Sequence, residues 1–188
     1  KCPVFYGLLL TMMLCVTACS TEKNTAQSRW WHSFNTRYNV YYNGSVAYID
    51  GALEKEQGNK DNFTEIIPLY TVGNKSSREL GKANFDKAIK KSEKAIQLHS
   101  IKRHPIWDKN RRKTERDIEW LNRREYNPFL WKVWLMMGKA QFHQGAFEEA
   151  ASTFSYMSRL YQTQPSIYGK ARAWLAKTYV EQGWLYDA

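Results

Sequence analysis

The side chains that could do chemistry are few and scattered. The 4 histidines are His32, His99, His104 and His143, and no two stand at a spacing that turns two imidazoles from one helix face toward a shared metal ion. His99 and His104 come nearest, five residues apart across an expected helix end. No metal site is expected. Gly73-Asn74-Lys75-Ser76 ends like a phosphate loop. It lacks the upstream glycine and the glycine before lysine that let backbone N–H groups cradle phosphate, so it is read as a turn leading into a helix. Glu115, Asp117 and Glu119 lie among Lys113 and Arg116. Glu115 and Glu119 share a solvated helix face, and a general acid–base pair needs a pocket that nothing nearby supplies. No Ser, His and Asp grouping has a local context for nucleophilic catalysis. The chain is expected to be no enzyme and to take no cofactor and no small-molecule substrate.

The cysteines carry a different chemistry. Val4 to Val16 is an apolar run of 13 residues, the length of a signal-peptide core and short of the ~20 needed to span a bilayer. It ends in Val16-Thr17-Ala18-Cys19, aliphatic then small then small then Cys, which resembles the lipobox of bacterial lipoproteins. Residues 1–18 are therefore expected to be a lipoprotein signal peptide whose start lies upstream of Lys1. Residues 19–29 would be the lipidated Cys19 and a polar tether. Cys2 and Cys15 would leave with the signal, and no Cys follows Cys19. The mature part then has no disulfide and no thiolate, and must be held by its core alone.

Charge is concentrated. Lys and Arg number 28 against 18 Asp and Glu, a net +10, and Lys75 to Arg124 holds 16 Lys and Arg against 7 Asp and Glu. The densest part holds Lys109, Arg111, Arg112 and Lys113 and is backed by Lys102, Arg103, Arg123 and Arg124, together a candidate partner-binding basic patch. Interleaved Trp107, Trp120 and Tyr126 would suit nucleic acid, but an exported, lipid-anchored domain meets none. Acidic proteins, anionic head groups or cell-wall polymers are the remaining partners.

The elements that must position these residues are helices. Trp31, Phe34, Tyr38, Tyr41, Ser45, Ile49 and Ala52 step by three or four, with Tyr42 and Leu53 widening the stripe. This predicts an amphipathic helix over about 30–57 with the aromatics in the core. Gly44 and Gly51 would weaken it by roughly 1 kcal/mol each relative to Ala, so they are expected at a close approach or a kink. Residues 58–74 read as a long ordered loop. A helix is predicted over about 76–100, ended by His104-Pro105. Another is predicted over about 111–123 with Ile118 and Leu121 inward, before Asn127-Pro128 breaks the chain and starts the next.

The last third repeats itself. Trp134-x-x-Met137-Gly138, then Gly145 to Ala150, then Phe154, resembles a tetratricopeptide repeat. A shift of 38 residues sets Leu175-Ala176 on Met137-Gly138, and Gly183 to Ala188 on Gly145 to Ala150. Gly138 and Ala176 would let helices approach, Gly145 and Gly183 would turn the chain, and Ala150 and Ala188 would seat the second helix. The repeat's usual tyrosine falls on Gln141 in one copy and on Tyr179 in the other. Helices over about 129–144, 146–162 and 166–182 are expected to stack as a right-handed solenoid, with further repeats beyond Ala188. Asn84-Phe85-Asp86-Lys87-Ala88 with Ala95 resembles the second helix of a divergent repeat that lacks a convincing first helix. The fold expected is all-α, a tetratricopeptide-like helical-hairpin solenoid behind a lipoprotein signal peptide, with a divergent helical region over 30–128 and repeats over 129–188.

Arg29 to Asn43, Asp61 to Tyr70, and Arg112 to Leu130 resemble the SprE/PorW-type tetratricopeptide lipoproteins of the Bacteroidetes type IX secretion and gliding-motility apparatus. The resemblance runs over essentially the whole mature segment. It implies an outer-membrane anchor through Cys19, a periplasm-facing scaffold, and partners among secretion-machinery proteins. An outer-membrane assembly scaffold built from the same repeats would share everything read from composition, whereas a nutrient-binding surface lipoprotein would need a ligand cleft and usually an acidic stretch after the Cys, where only Glu22 is acidic, beside Lys23.

Overall fold

The computed structural model describes Thr21 and residues 23–188, so the signal segment and Cys19 lie outside the described residues. The described chain is helical and without strands. α1 (Ala26–Asn35) begins at Thr25, whose hydroxyl accepts the Ser28 N–H. It runs without a break through a π-helical turn (Thr36–Tyr41) into α2 (Tyr42–Gly58). The loop then wanders to short 3-10 turns at Thr71–Gly73 and Lys75–Ser77. α3 (Lys82–His99) starts from Gly81 at φ 73°. α4 (Glu115–Leu121) is capped by a reciprocal Thr114–Asp117 box. α5 (Leu130–Gln144), α6 (Phe147–Leu160) and α7 (Pro165–Gln182) complete the chain. α5 and α7 end in Gly145 and Gly183, both left-handed, and Pro165 opens α7, where its missing N–H costs nothing.

These helices pack in chain order: α2 on α3, α3 on α5, α5 on α6, α6 on α7. α5 also touches α2 and α7. Each step buries its own cluster. Ala47, Phe85, Ala88 and Ala140 fill the α2–α3–α5 junction, and Val40, Ala95, Leu130 and Val133 fill the next. Phe142, Ala150, Phe154 and Leu175 join α5, α6 and α7, with Val72 from the loop as a plug. Trp134 lies between the Ala95 cluster and the one built on Met157, Tyr161 and Ala171. Gly138 is a true close approach: a Cβ there would lie 2.5 Å from the Phe154 ring.

Several expectations are corrected. The long first helix is real, but its aromatic stripe is on the outside: Trp31, Phe34, Tyr38, Tyr42, Ile49 and Leu53 are exposed. The buried row is Ser28, His32, Thr36, Val40, Gly44, Ala47, Gly51 and Lys55. Steps of four residues drift by about 40° each around an α-helix. The wider π turn takes up part of that drift and keeps the row facing α3 and α5. Small residues prevail because the neighbours come so close. A Cβ at Gly44 would meet Met136 at 2.7 Å, and one at Gly51 would meet Phe85 at 3.1 Å. α3 begins at Lys82, not near Ser76, and ends at His99, before His104-Pro105. α4 is shorter than expected and buries nothing; Ile118 is exposed. Gly183 to Ala188 turns but forms no helix, and Ala188 is exposed.

Candidate interaction surface

The stripe left outside and the helices beside it form an apolar, aromatic-rich surface. α2 and α5 touch but diverge, leaving a groove of about 370 Å³. Tyr41, Ser45, Tyr48 and Ile49 line one wall, and Trp131, Lys132, Leu135, Met136 and Lys139 the other. The exposed row Trp30, Phe34, Tyr38, Tyr42, Val46, Ile49 and Leu53 continues from it along the first helix. Phe34 lies between Trp30 and Tyr38, ring centroids at 5.5 and 4.8 Å.

The opposite wall carries cations over fixed rings. Lys170 sits 4.7 Å from the Trp131 centroid and Lys132 5.6 Å from it. Lys139 and Lys177 share Trp174 at 4.9 and 4.7 Å. Both rings are anchored in the clusters below them. Burial lowers the Lys139 ammonium from its ordinary pKa, and the charges of Lys177 and Lys170 lower it further.

Each histidine meets other side chains of the fold. His143 is wedged among Tyr48, Phe85, Phe142 and Trp174. Burial first, then the fields of Lys55, Lys139 and Lys177, bring it to about 4. His32 and His99, distant in sequence, meet Nδ1 to Nδ1 at 3.0 Å. Burial, then His32, brings His99 to about 4. His104 bonds the Tyr126 hydroxyl at 2.8 Å. Among the described residues no three His, Cys, Asp or Glu gather as a metal set. Glu115 and Glu119 lie exposed on α4.

The basic run from Lys102 to Arg124 supplies no residue to the lining of that groove. Lys102, Arg103, Lys109, Arg111, Arg112, Lys113 and Arg124 are exposed, and Arg123 is half-buried. Arg111 covers Trp107 at 4.9 Å, and Arg124 reaches the Arg159 carbonyl. Of the repeat signature, Gly138, Ala150 and Phe154 are buried, Trp134, Gly145, Ala176 and Tyr179 half-buried, and Gly183 and Ala188 exposed. Tyr179 stacks on Trp184 at 5.7 Å.

Two buried charged groups escaped the sequence reading because a charged side chain, in a basic loop-rich stretch as at Glu125 or between two glutamates on a helix as at Lys55, reads as solvated. The Glu125 carboxylate accepts the N–H groups of Ile101, Tyr126 and Asn127 and the Ser100 hydroxyl. Burial raises its pKa while those donors oppose the rise. Asn127 continues the clip, donating to Thr36 Oγ1 and the His99 carbonyl and accepting the Phe129 N–H. Lys55 is the other: its ammonium donates to the carbonyls of Ser77 and Arg78 at 2.7 and 3.2 Å, pinning the end of the long loop to α2.

No family model and no curated protein matches the chain. No described helix is long and apolar enough to cross a membrane.

Proposed function

We propose that this chain is a tetratricopeptide-like scaffold, held to the outer membrane through lipid on Cys19 and facing the periplasm, that assembles proteins of a type IX secretion or gliding apparatus. The observation that carries the scaffold reading is the packing order. α2 pairs with α3, α5 with α6, and the first helix of each pair touches the first helix of the next, as in stacked helical hairpins. On this reading α2 serves as the first helix in front of Asn84 to Ala88. A groove between successive first helices, with apolar walls and a basic edge, fits a protein segment better than a metabolite. The secretion role rests on the three stretches named above and on the signal-like N-terminus.

Photo-crosslinkers at Tyr48 and Leu135 in the groove, and at Lys90 on the exposed side of α3, test this in envelopes of the native host. Adducts with secretion components at the first two positions and none at Lys90 are expected. Adducts with a barrel-assembly protein would transfer the scaffold to that machine, and no groove adduct at all would overturn it. Cys19→Ala is expected to abolish fatty-acid labelling and release the protein from membranes; unchanged labelling would refute the anchor.

A further inference from the structure

We propose that Lys132, Lys139, Lys170 and Lys177 form a two-row rail for an extended acidic polypeptide segment, a partner chemistry that rests on the scaffold reading above. Lys132 and Lys139 are seven residues apart on α5, as Lys170 and Lys177 are on α7. Seven residues are two turns, so each pair shares a face with its members about 10 Å apart. The two rows meet across the rings: Trp131 lies under Lys170 and within reach of Lys132, which is nearer still to Phe129, and Trp174 takes Lys139 and Lys177. Four cations thus converge on two aromatic plates.

None of the four has a carboxylate within 4 Å among the described residues, where the ion pair present is Lys82–Glu79. Glu181, one turn beyond Lys177, lies beside Gly73 instead. Like charges held together without a counter-ion raise one another's energy, and Lys139 feels it: burial, Lys177 and Lys170 all disfavour its charged form. A bound carboxylate would relieve that repulsion and would be held by cations already positioned on rigid rings.

The spacing selects the ligand. About 10 Å is one turn of an extended polyproline II helix, three residues at ~3.1 Å each, after which a side chain returns to the same face, so acidic side chains at every third position would match a row. Apolar residues between them would meet Leu135, Met136 and Tyr48 along the groove.

The probe is a fluorescein-labelled peptide of four Glu-Leu-Ser triplets, titrated by fluorescence anisotropy into the whole chain in detergent. The Lys139→Gln/Lys177→Gln and Lys132→Gln/Lys170→Gln variants should each weaken binding by about ten-fold. Lys87→Gln/Lys94→Gln, which removes the same charge from exposed positions on α3, should change it less than about two-fold. The Gln-Leu-Ser peptide should also bind about ten-fold more weakly. Lys132 and Lys170 are exposed, so their variant keeps the test valid if the Lys139 variant unfolds. Equal losses in the α3 control and the rail variants would reduce the effect to net charge and overturn the proposal. Loss of binding to phosphatidylglycerol vesicles with peptide binding unchanged would assign the lysines to lipid and overturn it too. Groove crosslinks at Tyr48 that survive without peptide binding would sink the rail and leave the scaffold standing.

Discussion

Gly138→Ala probes the contact on which the α5–α6 pair depends. In an exposed helix this change stabilises by roughly 1 kcal/mol, because Ala restricts the unfolded chain and favours helix. Here the new methyl would lie 2.5 and 2.6 Å from the Phe154 Cε1 and Cζ. Ordinary carbon contacts are ~3.5–4.0 Å, so the ring would have to retreat by about 1 Å. It has nowhere to go: Phe154 is fully buried and stacked on Trp174, ring centroids at 5.9 Å. Overpacking of this kind costs about 1–3 kcal/mol, which cancels or exceeds the helix gain. Gly169 on α7 is the control, since a Cβ there meets nothing within 4 Å. Gly169→Ala should be stabilising by about 0.5–1 kcal/mol, and Gly138→Ala should lie about 1–3 kcal/mol below it. Gly138→Leu should fall further. Urea denaturation followed by far-UV circular dichroism measures each. In a Phe154→Leu background the Gly138→Ala penalty should shrink by at least about 1 kcal/mol, the coupling expected of touching residues. A Gly138→Ala protein as stable as Gly169→Ala would refute the close approach and with it the register of the hairpin.

Glu125→Ala would strand the buried N–H groups of Ile101 and Asn127 and should cost about 2–4 kcal/mol; Glu125→Gln, which keeps an acceptor, should stay within about 1, and equal losses would mean the clip holds nothing. His143 and His99 sit near 4 in the fold, below their ordinary 6.5. The unfolded chain therefore binds more protons between those values, so their contribution is full above 6.5 and lost as pH falls toward 4. Each proton adds a slope of roughly 1.4 kcal/mol per pH unit, and His143→Phe should remove about one proton from the slope measured by urea titration at several pH values. A slope unchanged by that substitution would deny its burial as neutral imidazole. Reversing Arg111, Arg112 and Lys113 to Glu should slow association with an acidic partner and flatten its salt dependence while stability moves by less than about 0.5 kcal/mol; identical stopped-flow rates would make that run an ordinary solvated face.

Much of the local structure was legible in the chain because it is set by local physics. α5, α6 and α7 fall within two residues of their expected bounds, since 3.6-residue periodicity, Gly145, Gly183 and Pro165 mark their ends without help from neighbours. The tightness at Gly44, Gly51 and Gly138 was also readable, because a glycine inside a helix needs a reason. Tertiary structure alone decided which face of the first helix is core. Periodicity reports that a stripe exists, and by hydrophobicity the stripe of Trp31, Phe34, Tyr38 and Tyr42 should have been buried. α3 and α5 come too close for such rings, so the row of Ser28, Thr36, Gly44, Ala47 and Gly51 is inside and the aromatics are left for the surface. The Glu125 clip, the Lys55 anchor and the lysines gathered on Trp131 and Trp174 were hidden for a related reason. Each joins residues from separate elements, and whether a charged side chain is solvated, buried or stacked depends on what the fold brings against it.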